Sequence, residues 1–163
     1  MTETFKKRAA AKNADKIKVA IVGCGGRGSD ALCNMLAADS NIEFVAAGDA
    51  FPKQIEKTAE KVKNFALKTL GKKDAWRVSP ETSFVGLDAI DKIVQTDADV
   101  VVLATPPVFR PCHIEKCLKA GKNVFAEKPI AIDAVGLRKI YNELIPLADK
   151  AGLTVICGTQ MRY

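Results

Sequence analysis

At 163 residues the chain has room for one domain with a sizeable core. Its 48% hydrophobic and 27% charged content is ordinary for a globular protein, and no apolar run approaches the ~20 residues of a membrane helix. The formal charge of +6 invites a nucleic-acid reading, but five bases against two acids in residues 1–16 account for +3 of it, and the rest is scattered without aromatic interleaving, so no nucleic-acid partner is expected.

Residues 1–15 read as a disordered, Ala/Lys-rich basic arm. The segment 16–163 reads as a single domain. Its first element is a buried strand (Ile17, Val19, Ala20, Ile21, Val22) that runs directly into Gly23-Cys24-Gly25-Gly26-Arg27-Gly28. A helical pattern follows, with Ala31, Leu32, Met35 and Leu36 on one face. Strand, glycine turn and helix in that order form the context in which G-x-G-x-x-G binds a dinucleotide. Gly23 makes the tight turn, Gly25 offers no Cβ to block a pyrophosphate, and Gly28 lets helix and strand pack closely. Amide N–H groups and the positive helix end then face the phosphates. The blander reading is a glycine turn with no ligand. Arg27 is read either as a pyrophosphate contact or as a solvent-facing charge.

Residues 41–48 form the second predicted strand, with Asp49 directly after it. Asp49 lies twenty-one residues beyond Gly28, close to the spacing of about 20 expected for an acid on the adenosine ribose hydroxyls. A carboxylate there would repel a 2′-phosphate and favour NAD over NADP, although Lys53 and Lys57 stand near enough to offset part of that repulsion. The alternative is a strand-end Asp opening a turn before Phe51-Pro52. A long helix is predicted from Pro52 to about Leu70, with Ile55, Ala59, Val62, Phe65, Ala66 and Leu70 at helical spacing and Gly71 ending it. Ala75 to Ser79 is a short strand candidate, and a helix is expected over 87–95 with Ile90, Ile93 and Val94 inward.

The continuous β-branched run from Asp99 to Thr105 predicts a central parallel strand, stopped by Thr105-Pro106-Pro107. A helix over 108–120 follows, capped by Gly121, and then a short strand at 123–126 that ends in Glu127-Lys128-Pro129. Asp133 is the expected N-cap of a helix reaching Lys150, with Val135, Leu137, Ile140, Leu144 and Leu147 apolar and Pro146 placed to kink it. Leu153 to Cys157 is the last strand. This alternation predicts an α/β fold: a doubly wound parallel sheet of about six strands, the Rossmann arrangement, in three α/β/α layers. The motifs at 23–28, 49, 105–107, 127–129 and 158–162 all fall just past strand ends, so they should line one edge of the sheet.

Five cysteines at 24, 33, 112, 117 and 157 form no C-x-x-C pair, and one histidine is too few for a His-rich metal site, so no metal is expected. Reduced thiols, and an N-terminus without the apolar core of a secretory signal, point to the cytoplasm. Cys24 stands apart, because a thiol near a helix N-terminus can have a lowered pKa.

The set GCGGRG, Gly48-Asp49, ATPP at 104–107, His113 on a helix, AGKNVFAEKP at 120–129 and GTQMRY at 158–163 closely resembles the glucose-fructose oxidoreductase/inositol dehydrogenase family, from Lys16 onward. The AGK-x-V-x-x-EKP block is its most specific element; this chain has Asn123 where many relatives carry His. The resemblance implies an NAD(P)-dependent oxidoreductase of sugar or polyol hydroxyls. It implies that Lys128 bonds the substrate oxygen beside the nicotinamide, a role that the residues alone leave open against a solvated loop charge. Glu127 would orient Lys128 or the nicotinamide ribose, and a cis Lys128–Pro129 bond is compatible with the loop. Thr105 and Pro106 would lie under the ribose and nicotinamide, with Gln160 and Arg162 more loosely at the nicotinamide end. His113 is read as a structural helix residue rather than the proton acceptor. The family places further acid–base residues, substrate contacts and oligomer contacts in a C-terminal domain that residues 16–163 do not include. The expectation is a cofactor-binding unit without turnover of its own, prone to homo-oligomerise through an uncovered apolar face. Two other readings stay open: a non-catalytic dinucleotide-binding module, and part of an NAD-dependent glycoside hydrolase.

Overall fold

The computed structural model describes residues 16–39 and 41–159. The predicted arm at 1–15 and the site candidates Gln160 and Arg162 lie outside the described residues. In chain order the elements are β1 (Ile17–Val22), α1 (Gly26–Ala38), β2 (Ile42–Asp49), α2 (Pro52–Leu70), β3 (Ser83–Val85), α3 (Ala89–Ile93), β4 (Val100–Leu103), α4 (Arg110–Lys119), β5 (Asn123–Glu127), α5 (Ala134–Lys139), a π turn (Ile140–Leu144), α6 (Ile145–Ala151) and β6 (Val155–Gly158).

The six strands form one parallel sheet in the order β3-β2-β1-β4-β5-β6. Chain direction across the sheet reverses between β1 and β4, and the crevice there is where such sheets take ligands. β1 explains why the middle of the sheet reads as an unbroken apolar run. Val19 and Ile21 enter one core with Leu32, Leu36, Phe44 and Val62, under α1 and α2. Ala20 and Val22 enter a second core with Ile90, Ile93, Ile114 and Ile140, under α3, α4 and the π turn. A strand with helices on both faces has no polar side to show. The three-layer doubly wound fold expected from the alternation is the one found.

Four elements differ from the sequence reading. Residues 75–79 are not a strand: Trp76 makes a single parallel bridge to Phe44, with Phe44 N–H donating to Ala75 and Arg77 N–H to Phe44. The edge strand is instead β3, three residues long and half-exposed, too short to carry a readable alternation. The helix expected at 87–95 is only the five residues of α3.

The helix after Asp133 departs in its middle. Asp133 caps it as expected, its Oδ1 accepting from Gly136 N–H at 2.6 Å. Pro146 has no N–H to donate and its ring crowds the preceding turn, and the helix widens to the π turn just before it. Ile140, Leu144 and Ala148 are buried, whereas Val135 and Leu137, two of the apolar positions read for this helix, are exposed.

Candidate functional site

The site is built where β1, β2, β4 and β5 end. The glycine loop begins with Gly23 at φ +96, and its N–H donates to Gly48 at 2.9 Å. A side chain there would meet the backbone of Ala104 and Thr105 at 2.6–2.7 Å. A Cβ on Gly28 would overlap the carbonyl of Gly23. Both glycines are therefore demanded by the fold itself.

Gly25 and Gly26 are different. Gly25 is extended, at φ −74 and ψ −172, and a Cβ on either residue would meet nothing within 4 Å. The protein supplies no internal reason for glycine at these two positions. They leave open space at the N-terminus of α1, where no side chain caps the helix and no acid stands in the first turn. Uncapped amides with the positive helix end behind them make an anion cradle.

Arg27 leans across this loop to β5. Its Nη2 donates to Glu127 Oε1 at 2.6 Å, while its Nε and Nη1 are buried without a partner among the described residues. Buried N–H groups left unpaired are costly, so an acceptor from a ligand is the natural complement. The side chain as a whole is 30% exposed, so Arg27 is anchored on Glu127 at the edge of open space. Glu127 is 1% exposed, and its Oε1 lies close to Gly158, where an added Cβ would come within 3.1 Å of it.

Asp49 sits at the end of β2 and is engaged twice. Oδ2 accepts from Cys24 N–H at 2.6 Å and Oδ1 from Phe51 N–H at 2.9 Å. It thus pins the glycine loop and opens α2 at once. Each carboxylate oxygen can accept more than one hydrogen bond, so both retain capacity toward a ligand hydroxyl. Thr58 on α2, unnoticed in the sequence, adds a second pin by donating to the carbonyl of Cys24 at 2.7 Å.

The expectation of a lowered pKa at Cys24 is overturned. Burial, reinforced by the nearby Asp49 carboxylate, pushes the thiol up to about 12. The helix end would favour a thiolate only if the sulfur faced it in water. Here Sγ is buried and turned to the carbonyl of Gly48 at 3.6 Å. The backbone of Cys24 is held from both sides, its N–H by Asp49 and its carbonyl by Thr58.

The other half of the edge carries Thr105, Pro106, Glu127 and Lys128. Thr105 is buried and its Oγ1 lies 3.4 Å from His113 Nδ1, while Pro106 is exposed. His113 stacks on Phe109 at 5.8 Å between ring centroids. Burial pushes its pKa down to about 4, with Lys116 adding to the effect, so it is neutral at pH 7. Lys128 is exposed and unpaired among the described residues, and the peptide to Pro129 is cis.

Arg110 was missed. It lies in the first turn of α4 and is 4% exposed. Its Nε and Nη2 donate to the carbonyl of Thr105 at 3.0 and 2.8 Å, and its Nη1 donates to the carbonyls of Glu127 and Pro129. One guanidinium thus ties the loop after β4 to the loop after β5. A single arginine ahead of a proline gives no periodic signal of burial, and only the fold reveals it.

Among the described residues no helix is long and apolar enough to cross a membrane, and no group of three His, Cys, Asp or Glu side chains could hold a metal.

The Gfo/Idh/MocA oxidoreductase family, described as having an NAD-binding Rossmann fold, matches residues 17–159, and the chain belongs to it. The inositol 2-dehydrogenase of Rhodococcus jostii is 25% identical over 137 residues, covering 84% of this chain and 32% of that protein. Among solved structures, the WlbA dehydrogenase from Chromobacterium violaceum, in complex with NADH and UDP-GlcNAcA, is 26% identical with a TM-score of 0.66, covering 90% of this chain and 36% of that one. The apo scyllo-inositol dehydrogenase from Lactobacillus casei is 27% identical with a TM-score of 0.62, covering 88% and 36%. The chain spans about a third of the length of each of these three proteins.

Proposed function

We propose that this chain is the NAD-binding unit of an oxidoreductase that moves hydride between a sugar or polyol carbinol and the coenzyme. The observation that carries the reading is the loop at the head of α1. Its two middle glycines leave space the fold does not need, beside uncapped amides and two unpartnered Arg27 N–H groups. That donor set fits a pyrophosphate.

In this reading the amides of 25–28 and the Arg27 guanidinium hold the pyrophosphate. Asp49 accepts from the adenosine ribose hydroxyls while keeping its bonds to the loop, which favours NAD over NADP. Thr105, Pro106 and Glu127 shape the floor under the second ribose, with Gln160 and Arg162 further toward the nicotinamide end. The nicotinamide, when bound, supplies the hydride acceptor. The Lys128 ammonium donates a hydrogen bond to the substrate oxygen and stabilises the negative charge that builds on it as hydride leaves carbon. Sugar and polyol substrates are supported by the relatives' names, and turnover would draw on the two thirds of those proteins that this stretch does not match. A cytoplasmic setting belongs to the same proposal, supported by five unpaired thiols, three of them buried.

Calorimetric titration with NAD and NADP tests it, using Asp49→Asn rather than alanine so that one backbone acceptor remains. Saturable binding is expected, tighter for NAD, and weakened about tenfold by the substitution, the loss of one good hydrogen bond. Tighter NADP binding overturns the coenzyme preference. A folded chain that binds neither nucleotide overturns the cofactor reading.

A further inference from the structure

We infer that Arg110 is a positioning residue for Lys128, fixing the backbone on both sides of it; the inference deepens the proposed function and rests on the place given there to Lys128.

The carbonyls of Glu127 and Pro129 bracket Lys128 along the chain, and Nη1 of Arg110 donates to both. The remaining donors, Nε and Nη2, anchor the guanidinium on the carbonyl of Thr105. Lys128 itself is exposed and makes no side-chain bond among the described residues. Its place beside the sheet edge is therefore set by its backbone, and that backbone is held by Arg110.

The arrangement is an expensive way to fill a core position. Burial alone works against the charge and pushes the Arg110 pKa down. The first turn of a helix is also the unfavourable end for a cation. The carboxylate of Glu127, which could have paired with it, is bonded to Arg27 instead. An apolar side chain of similar volume would suit the fold as well or better. What it could not supply is a planar fork that reaches three carbonyls on two loops. Lysine, with one ammonium, could not supply it either.

Two arms test this on the chain and its variants Arg110→Lys and Arg110→Met. In the first, hydrogen exchange is compared between peptides spanning 104–108 and 125–131 and the central strand 17–22. In the second, each protein is titrated with NAD and with ADP, which lacks the nicotinamide riboside and so reports the glycine loop and Asp49 alone. Both variants are expected to exchange faster at 104–108 and 125–131 with 17–22 unchanged. Each should bind NAD about tenfold more weakly while holding ADP as before. Equal weakening of both nucleotides would make Arg110 a general fold residue and overturn the inference, as would collapse of both variants. Unchanged exchange around Lys128 would overturn it directly. If the parent chain binds neither nucleotide, the cofactor reading falls on its own, and the exchange arm still decides whether Arg110 holds the Lys128 loop.

Discussion

The two ends of the candidate site are held by different means. The glycine loop is fixed through its own backbone from the end of β2 and from α2: the Gly23 N–H donates to the Gly48 carbonyl, the Cys24 N–H to the Asp49 carboxylate, and the Thr58 hydroxyl to the Cys24 carbonyl. The loops after β4 and β5 are fixed by side chains that reach across the fold, Arg110 to three carbonyls, Arg27 to Glu127, and His113 to Thr105. The first end needs only β1, β2 and α2 in place, and two of its glycines are demanded by the backbone itself. The second is assembled only once the sheet is complete, and it depends on buried charge and a buried imidazole. A ligand lying along this edge would meet a preformed loop at one end and a braced but more sensitive pair of loops at the other.

The sharpest break of that contrast lies within the loop itself. Gly23→Val forces a branched side chain onto φ +96 and into the backbone of Ala104, and should cost about 4 kcal/mol or more. Gly25→Ala should leave stability within about 0.5 kcal/mol, since nothing opposes its methyl, yet weaken nucleotide binding. Urea unfolding of the two variants, with a nucleotide titration of the second, checks both. Equal stability loss would mean that Gly25 too serves the fold.

A smaller effect is expected at the other end. Arg27→Ala strands Glu127, which is 1% exposed, and should cost about 3 kcal/mol. Adding Glu127→Gln should return part of that loss. If the double variant is no more stable than the single one, the pair is not the link between the loop and β5.

The mildest test uses pH. The folded His113 takes its proton only near pH 4, the unfolded one near 6.5, so its contribution is complete above 6.5 and lost as pH falls toward 4. From pH 7.5 to 5 the chain should lose roughly 2 kcal/mol of stability. Being the chain's one histidine, its replacement by glutamine should flatten urea midpoints over that interval. A wild-type profile that is already flat would place His113 in water.

These differences also explain what could be read from the residues alone. β1, α2 with its Gly71 cap, and the glycine turn are local patterns, and they were legible to within a residue or two. Asp49 was found by spacing, but its bonds to Cys24 and Phe51 depend on how β1 and β2 lie side by side. The thiol of Cys24 was misjudged because proximity to a helix end says nothing of which way the sulfur turns. Val135 and Leu137 fit a helical stripe in sequence, and the π turn took the buried face elsewhere. Arg110 had no local signature at all, since its three acceptors lie five to nineteen residues away along the chain and meet it only in the folded sheet.

The double engagement of Asp49 has an evolutionary consequence. A lineage that exchanges this acid for a smaller or neutral residue, the shortest route to accepting a bulkier coenzyme, also releases Cys24, Phe51 or both from their acceptor. The intermediate would be a less stable protein before it became a differently selective one. A change of preference here needs a second substitution to recapture what was released, and the order in which the two arise decides whether the path is open.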